Sequence, residues 1–165
     1  LYLSTHDYTT GIFNRSYFES QVRLAMDRTN RYHEPQSMVM LDLDYFKQVN
    51  DKYGHLTGDD VLKLIVNTVS KSLRSLDVFA RFGGEEFVIL MPETSLYGAN
   101  QAAEKLRQLV ESNPHPITGA VTISMGVAEF QPGSSLDDWY RQADDSLYQA
   151  KAGGRNRVVA YSGSL

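Results

Sequence analysis

Four carboxylates in two short motifs are the side chains of this sequence best suited to chemistry. Asp42-Leu43-Asp44 closes the apolar run that begins at Met38, and Glu85-Glu86 directly follows Gly83-Gly84. Mg²⁺ takes hard oxygen ligands of this kind, usually one or two carboxylates, and completes its shell with water and phosphate oxygens. Two such ions can clamp the attacking and leaving oxygens of an in-line displacement. Each motif alone also has a plain structural reading: Asp44 caps the next helix, the glycines turn a hairpin, and the glutamates face solvent. The chemical reading requires the two motifs to meet in space, so the elements that carry them decide between the two.

The run Met38 to Leu43 has the pattern of a strand buried on both faces, which delivers Asp42 and Asp44 to the rim of a sheet. Gly83-Gly84 lies between Val78-Phe79-Ala80 and Phe87-Val88-Ile89-Leu90 and supplies the positive φ angles of a tight hairpin, with Glu85 and Glu86 at its tip. Residues 1–13 read as a loop or lead-in. Asn14 reads as the N-cap of a helix carrying Phe18, Val22, Ala25 and Met26, stopped at Glu34-Pro35. A short helix over Phe46 to Lys52 breaks at Gly54, and a longer one runs from about Gly58 to Leu73. Ser95 to Glu111 is amphipathic, Ala120 to Glu129 alternates as a strand, and a last helix from Leu136 to Ala150 ends at Gly153-Gly154. A short strand through Val158 and Val159 follows. The central order β-α-β-β-α-β is that of an α+β, ferredoxin-like or palm-type fold: an antiparallel central sheet and one helical layer, with extra helices and a C-terminal strand. Right-handed crossovers then bring Asp42 toward the Gly83-Gly84 turn.

Composition narrows the partners. The chain has 165 residues, 42% of them hydrophobic, enough for one core. Sixteen Lys and Arg against 20 Asp and Glu give a net charge of −4, so no broad attraction to nucleic acid or to an anionic membrane is expected. A polyphosphate ligand must therefore be held by a local cluster or a metal. The absence of cysteine excludes disulfides, thiol nucleophiles and thiolate zinc sites, and fits a cytoplasmic location. The apolar runs are too short to span a bilayer. A start at Leu1-Tyr2-Leu3 reads as a domain excised from a longer protein, itself free to be membrane-anchored. No G-x-x-x-x-G-K-[ST] or G-x-G-x-x-G is present.

Arg81-Phe82-Gly83-Gly84-Glu85-Glu86-Phe87 resembles the signature of the GGDEF-domain diguanylate cyclases, in the variant with Glu as the first acidic residue. Asp7-Tyr8-Thr9-Thr10-Gly11-Ile12 with Asn14-Arg15 is similar to the family's N-terminal motif, with Thr9 where Leu is usual. Asp42-Leu43-Asp44-Tyr45-Phe46-Lys47, Asn50-Asp51, Gly54-His55 and Gly58-Asp59 resemble its central motif. Ser124-x-Gly126-Val127-Ala128 resembles a later strand, and Ala143-Asp144 through Lys151, Gly154, Arg155 and Asn156 the C-terminal helix. The likeness spans Asp7 to about Val159, so residues 14–165 read as one catalytic domain behind the 1–13 lead-in.

The resemblance implies condensation of two GTP molecules into cyclic di-GMP with release of pyrophosphate. It further implies two Mg²⁺ ions, with Mn²⁺ a substitute, held by Asp42, the Leu43 backbone carbonyl and Glu85. Glu86 either supports that site or coordinates directly. Asn50 and Asp59 are implied as guanine readers, and a carboxylate facing guanine's N1–H and N2–H₂ favours GTP over ATP. Lys47, Lys151 and Arg155, with Tyr45, Phe46, Gly83 and Gly84, are implied as phosphate and substrate contacts, the backbone N–H groups of 45–47 adding donors at a helix start. Arg74-Ser75-Leu76-Asp77 resembles the family's inhibitory site for cyclic di-GMP; its plain reading is a helix-terminal Arg beside a strand-initiating Asp. His55 is expected to play a structural hydrogen-bonding part. Because each domain carries one guanine site, two copies are expected to meet as a C₂ dimer, under an upstream sensor or coiled coil.

Overall fold

In the computed structural model, which describes residues 2–163, Gln36–Leu43 forms strand β2, the spine of the molecule. Leu1, Ser164 and Leu165, which fall in the expected lead-in and catalytic segments, lie outside the described residues. Every residue of β2 is buried except the half-buried Met40. It pairs antiparallel with Glu86–Pro92 (β4) on one side and Ile123–Glu129 (β5) on the other. Val78–Gly83 (β3) lies antiparallel outside β4. The edges are parallel: Phe13–Asn14 (β1) runs along β3 and Val158–Ala160 (β6) along β5. The order is β1-β3-β4-β2-β5-β6, so the four central strands are the expected antiparallel sheet, and parallel edges extend it.

Among the described residues six helices accompany the sheet: Tyr2–Thr5 (α1), Arg15–Tyr32 (α2), Phe46–Tyr53 (α3), His55–Ser72 (α4), Leu96–Glu111 (α5) and Leu136–Ala152 (α6). They cover both faces, not the single face expected. Val39, Leu41 and Leu43 of β2 share one core with α4 and α5 residues such as Ile65, Val69, Ala103 and Leu106. Met38 packs on the opposite face with Phe18, Val22, Trp139 and Ala143 from α2 and α6. A strand apolar at successive positions presents hydrophobic side chains above and below the sheet, and each side needs a cover.

Other boundaries also shift for local reasons. The 1–13 segment is not simply a loop: it contains α1, and Phe13 joins the sheet, with Phe13 opposite Ala80. Asn14 caps α2 as expected, its Oδ1 accepting from the Tyr17 N–H at 3.0 Å. Gly54, at φ 90°, separates α3 from α4, and α4 starts immediately at His55. In the hairpin only Gly84 has positive φ, 46°; Gly83 is the last residue of β3, and Glu86 already belongs to β4. The register shifts between Arg81 and Gly83, an irregularity that re-aims the tip.

The placement of α6 follows from Gly126 in β5. A Cβ there would sit 2.3 Å from both the Ala143 carbonyl oxygen and the Leu147 nitrogen, so the helix backbone rests directly on the strand. Trp139 Nε1 donates to the Ala128 carbonyl at 2.9 Å and fixes the helix along the strand. Among the described residues, no helix is long and apolar enough to cross a membrane. Gly126→Ala is expected to cost about 1–3 kcal/mol through overpacking. That corresponds to a fall of several degrees in thermal midpoint, at roughly 2–4 °C per kcal/mol for a chain of this size. Thermal unfolding followed by circular dichroism measures it, and an unchanged midpoint would show that α6 can back away from the sheet.

Candidate active site

Asp42 stands at the C-terminal end of β2 with 5% of its surface exposed. Lys151 Nζ, from α6, donates to its Oδ2, while its Oδ1 is buried without a partner. Burial raises the Asp42 pKa; Lys151 opposes the rise, and the negative charges of Glu85 and Asp144 add to it. Glu86 lies opposite Asp42 in the β2–β4 register, so the two project to the same face. Loss of solvent around the Glu86 carboxyl, followed by the charges of Asp42 and Asp144, raises its pKa as well.

Glu85 occupies the hairpin turn and borders the same cleft as Asp42, Leu43, Lys47, Lys151 and Arg155, a space of about 300 Å³. The Leu43 N–H donates to the Glu85 carbonyl at 3.3 Å, tying the turn to the end of β2. Arg81 secures the turn from the other side. Its Nε and Nη2 donate to the Gly84 carbonyl at 3.0 and 2.6 Å, and its Nη1 reaches Asp7 Oδ2 at 3.3 Å. Asp7 Oδ2 also accepts from the Thr10 N–H at 2.9 Å and from its hydroxyl at 2.7 Å. The N-terminal motif thereby becomes a brace for the hairpin tip.

Asp44 does not cap α3. Its Oδ1 accepts from Ser124 Oγ at 2.6 Å, and its Oδ2 from Thr122 Oγ1 at 2.7 Å and the Asn156 N–H at 3.0 Å. Fully used and 3% exposed, it is a structural tie between β2, β5 and the loop after α6. Tyr45 takes the N-cap position in a left-handed conformation, φ 58°, with no side-chain cap for the first turn of α3. Uncapped N–H groups there suit an anionic ligand. Arg155 lies over the Tyr45 ring, 4.8 Å from its centroid, and Lys47 is well exposed and paired with Asp51 at 3.2 Å. Phe46 is buried beneath the cleft.

On α3 and α4, Asn50 and Asp59 are half-buried, and Gly58 is what lets Asn50 lie against α4. A Cβ on Gly58 would fall 1.8 Å from Asn50 Oδ1. His55 is exposed at the first residue of α4, and no ring hydrogen bond of His55 is among those formed by the described residues, contrary to the part expected of it. Arg74 and Asp77 are separate from this cleft. They pair at 2.9 Å, and Arg74 Nη2 also donates to the Pro92 carbonyl at 3.0 Å and to Thr94 Oγ1 at 2.8 Å. They border a second cleft of about 300 Å³ against α5, with Lys105 among its lining residues.

Residues 4–157 match the model of the family described as "Diguanylate cyclase, GGDEF domain". The chain belongs to the GGDEF-domain diguanylate cyclase family. Among relatives, the GGDEF chain is 38% identical to the response regulator PleD of Caulobacter vibrioides, over 96% of this chain and 36% of PleD. It is 40% identical to the probable diguanylate cyclase DgcT of Escherichia coli, over 95% of this chain and 36% of DgcT. The chain thus spans about a third of the length of these relatives. Among solved structures, the GGDEF domain of DgcB from Caulobacter crescentus, in complex with c-di-GMP, superposes with a TM-score of 0.91 at 33% identity, covering 97% of this chain and 94% of that one. The active GGEEF domain of a Vibrio cholerae diguanylate cyclase gives 0.86 at 33% identity, covering 92% and 98%.

The first cleft draws together Asp42, Leu43, Tyr45, Phe46, Lys47, Glu85, Lys151 and Arg155; Asn50, Asp59, Gly83, Gly84 and Glu86 are not in its lining, and Arg74 and Asp77 border the second cleft. Among the described residues there is no group of three or more His, Asp or Glu side chains able to hold a metal by themselves. The unpartnered buried Oδ1 of Asp42, beside Glu85, is nevertheless what a cation completed by phosphate oxygens needs. Residue-level reading missed the bracing parts of Arg81 and Asp7, although both stand in recognised motifs.

Because the folded chain holds a proton on Glu86 to higher pH than the unfolded chain does, it binds more protons than the unfolded chain just above the usual glutamate range, and stability falls as pH rises through that interval. Glu86→Gln removes this penalty. The variant is expected to melt higher than the parent at pH 7–8 and to lose the advantage near pH 4; a constant difference across pH would contradict the assignment.

Proposed function

We propose that this domain condenses two GTP molecules into cyclic di-GMP and releases two pyrophosphates, each 3′-hydroxyl attacking the α-phosphate of the other nucleotide. The observation that carries the reading is the buried, unpartnered oxygen of Asp42, a residue that lines one cleft with Glu85 and three cationic side chains. The residues that would hold Mg²⁺ are Asp42, the Leu43 carbonyl and Glu85. What the cation supplies when bound is charge neutralisation of the triphosphate and a lower pKa for the attacking hydroxyl.

The chain's own residues do the rest. Lys151 offsets the charge of Asp42 and turns to phosphate oxygens when nucleotide arrives, because those oxygens are the richer acceptors. Lys47 and Arg155 flank the phosphates, Arg155 aimed by its stacking on Tyr45. The first-turn N–H groups of α3 contribute donors that cost no side-chain ordering. Asn50 and Asp59 read the guanine edge, where an adenine would leave the carboxylate facing an acceptor. Glu86, opposite Asp42 in the strand register, supports the carboxylate arrangement.

One cleft holds one nucleotide, and the product contains two identical halves. Two domains therefore meet about a two-fold axis, each presenting its nucleotide to the other. The coiled coil and GGDEF domain of DgcB from Caulobacter crescentus have been solved together, a combination suited to controlling such an encounter. The same protein's complex with c-di-GMP supports product binding to this fold, and in this chain the Arg74–Asp77 cleft is the proposed inhibitory site.

The test is incubation of the chain with GTP and Mg²⁺, with detection of pyrophosphate and a cyclic dinucleotide. At low enzyme concentration the rate should rise with the square of concentration, and Glu85→Gln should reduce it by roughly a hundredfold or more. Nucleotide binding with no product at any concentration would make the domain a binding module instead. Gly58→Ala addresses the guanine readers. The new methyl displaces the Asn50 carboxamide while α4 stays folded, so KM for GTP is expected to rise about fivefold, the worth of one hydrogen bond. An unchanged KM would remove Asn50 from base recognition.

A further inference from the structure

The loop after α6 holds two successive non-glycine residues in the left-handed region, Arg155 at φ 64° and Asn156 at φ 46°. Arginine rarely adopts that conformation, and asparagine only tolerates it, so something must hold the pair. The holding groups come from α5. Arg107 Nη1 donates to Asn156 Oδ1 at 2.9 Å, and Asn156 Nδ2 donates to Glu111 Oε2 at 2.9 Å. Arg107 is itself fixed on both sides: its Nε and Nη2 donate to the two Glu104 oxygens at 2.8 and 2.7 Å, and its Nη1 donates to Glu111 Oε1 at 3.0 Å. The Arg107 side chain is only 16% exposed, and its hydrogen bonds pull the Glu104 pKa down to about 2, so this lattice stays charged through the working pH range. On its other side the Asn156 N–H is taken by Asp44 Oδ2, itself locked to β5.

We propose that Arg107 is a positioning residue for the phosphate end of the nucleotide site: by clamping the Asn156 side chain to α5 it fixes the left-handed turn that aims Arg155 over Tyr45 and into the cleft. The inference rests on the reading of Arg155 as a phosphate contact. Arg107 is not among the residues that line the cleft. Its effect is therefore confined to where Arg155 points. Released from the clamp, the 155–156 turn relaxes toward ordinary torsions, and the Arg155 guanidinium swings away from the ligand.

Two variants break the clamp from opposite ends. Arg107→Met keeps the alkyl stem against α5 and removes the guanidinium. Asn156→Gly keeps the left-handed backbone accessible and removes the carboxamide. Both are assayed for GTP turnover, with guanosine, which lacks phosphates, as a competitor. Each variant is expected to raise KM for GTP about tenfold, the scale of one misaligned charge-assisted contact, and to leave the guanosine inhibition constant within about twofold. The double variant should be no worse than the poorer single one, because both remove one device. The clamp is overturned if either variant binds GTP like the parent, or if guanosine weakens in step with GTP, which would mark general loosening of the fold. Variants that match an active parent sink the clamp alone. A parent that neither binds nor converts GTP sinks the functional reading together with this one.

Discussion

The structure is organised around a carboxylate that the fold buries and only half satisfies. Asp42 sits on the most enclosed strand of the sheet, where an ionised group loses most of its hydration, and such a loss costs several kcal/mol unless a counter-charge is near. Lys151 is that counter-charge, and it can reach Asp42 only because α6 lies directly on β5 at Gly126. A missing Cβ in one strand thus sets the reach of a lysine 25 residues later in the chain toward Asp42 on the neighbouring strand. Asp42 Oδ1 is left buried without a hydrogen-bond partner, a cost that folding leaves in place.

The second half of the site is held by different means. The hairpin tip carrying Glu85 is a turn of the backbone, with no helix beneath it, and its direction depends on hydrogen bonds to its carbonyls. Leu43 supplies one from β2, and the Arg81 fork supplies two to Gly84. Because Asp7 orients that fork, the short β1 edge and the turn before it belong to the catalytic scaffold as much as the central strands do. Helices carry Lys151 and Lys47, the loop after α6 carries Arg155, and strand-end and turn hydrogen bonding positions Leu43 and Glu85. The two kinds of support meet at the cleft.

Much of this was readable in the residues. The run ending at Asp42 announced a central strand, since only a strand covered on both faces stays apolar at consecutive positions, and Gly83-Gly84 announced a hairpin beside it. The pattern also contained the two-sided cover that the one-layer expectation overlooked: Met38 and Val39 must point in opposite directions. Asp44 was harder to place, because an acidic residue before a helix looks like a cap whether it bonds the helix or, as here, Ser124 and Thr122 some 80 positions later in the chain. Long-range hydrogen bonds leave no local periodicity. For the same reason Arg107, indistinguishable from a solvated helix charge in sequence, emerges as a partner of Asn156 only in three dimensions.

The left-handed torsions at Tyr45, Arg155 and Asn156 have a consequence for how substitutions around the cleft are interpreted. At each position a side chain and an unusual backbone angle are inherited together. Truncation to alanine deletes a functional group and also asks a residue poorly suited to positive φ to hold it, at about 1–2 kcal/mol. Glycine deletes the group and relieves the torsion. Comparing the two replacements at one site separates what the atoms contribute from what the bend contributes, and an alanine scan by itself folds both into a single number.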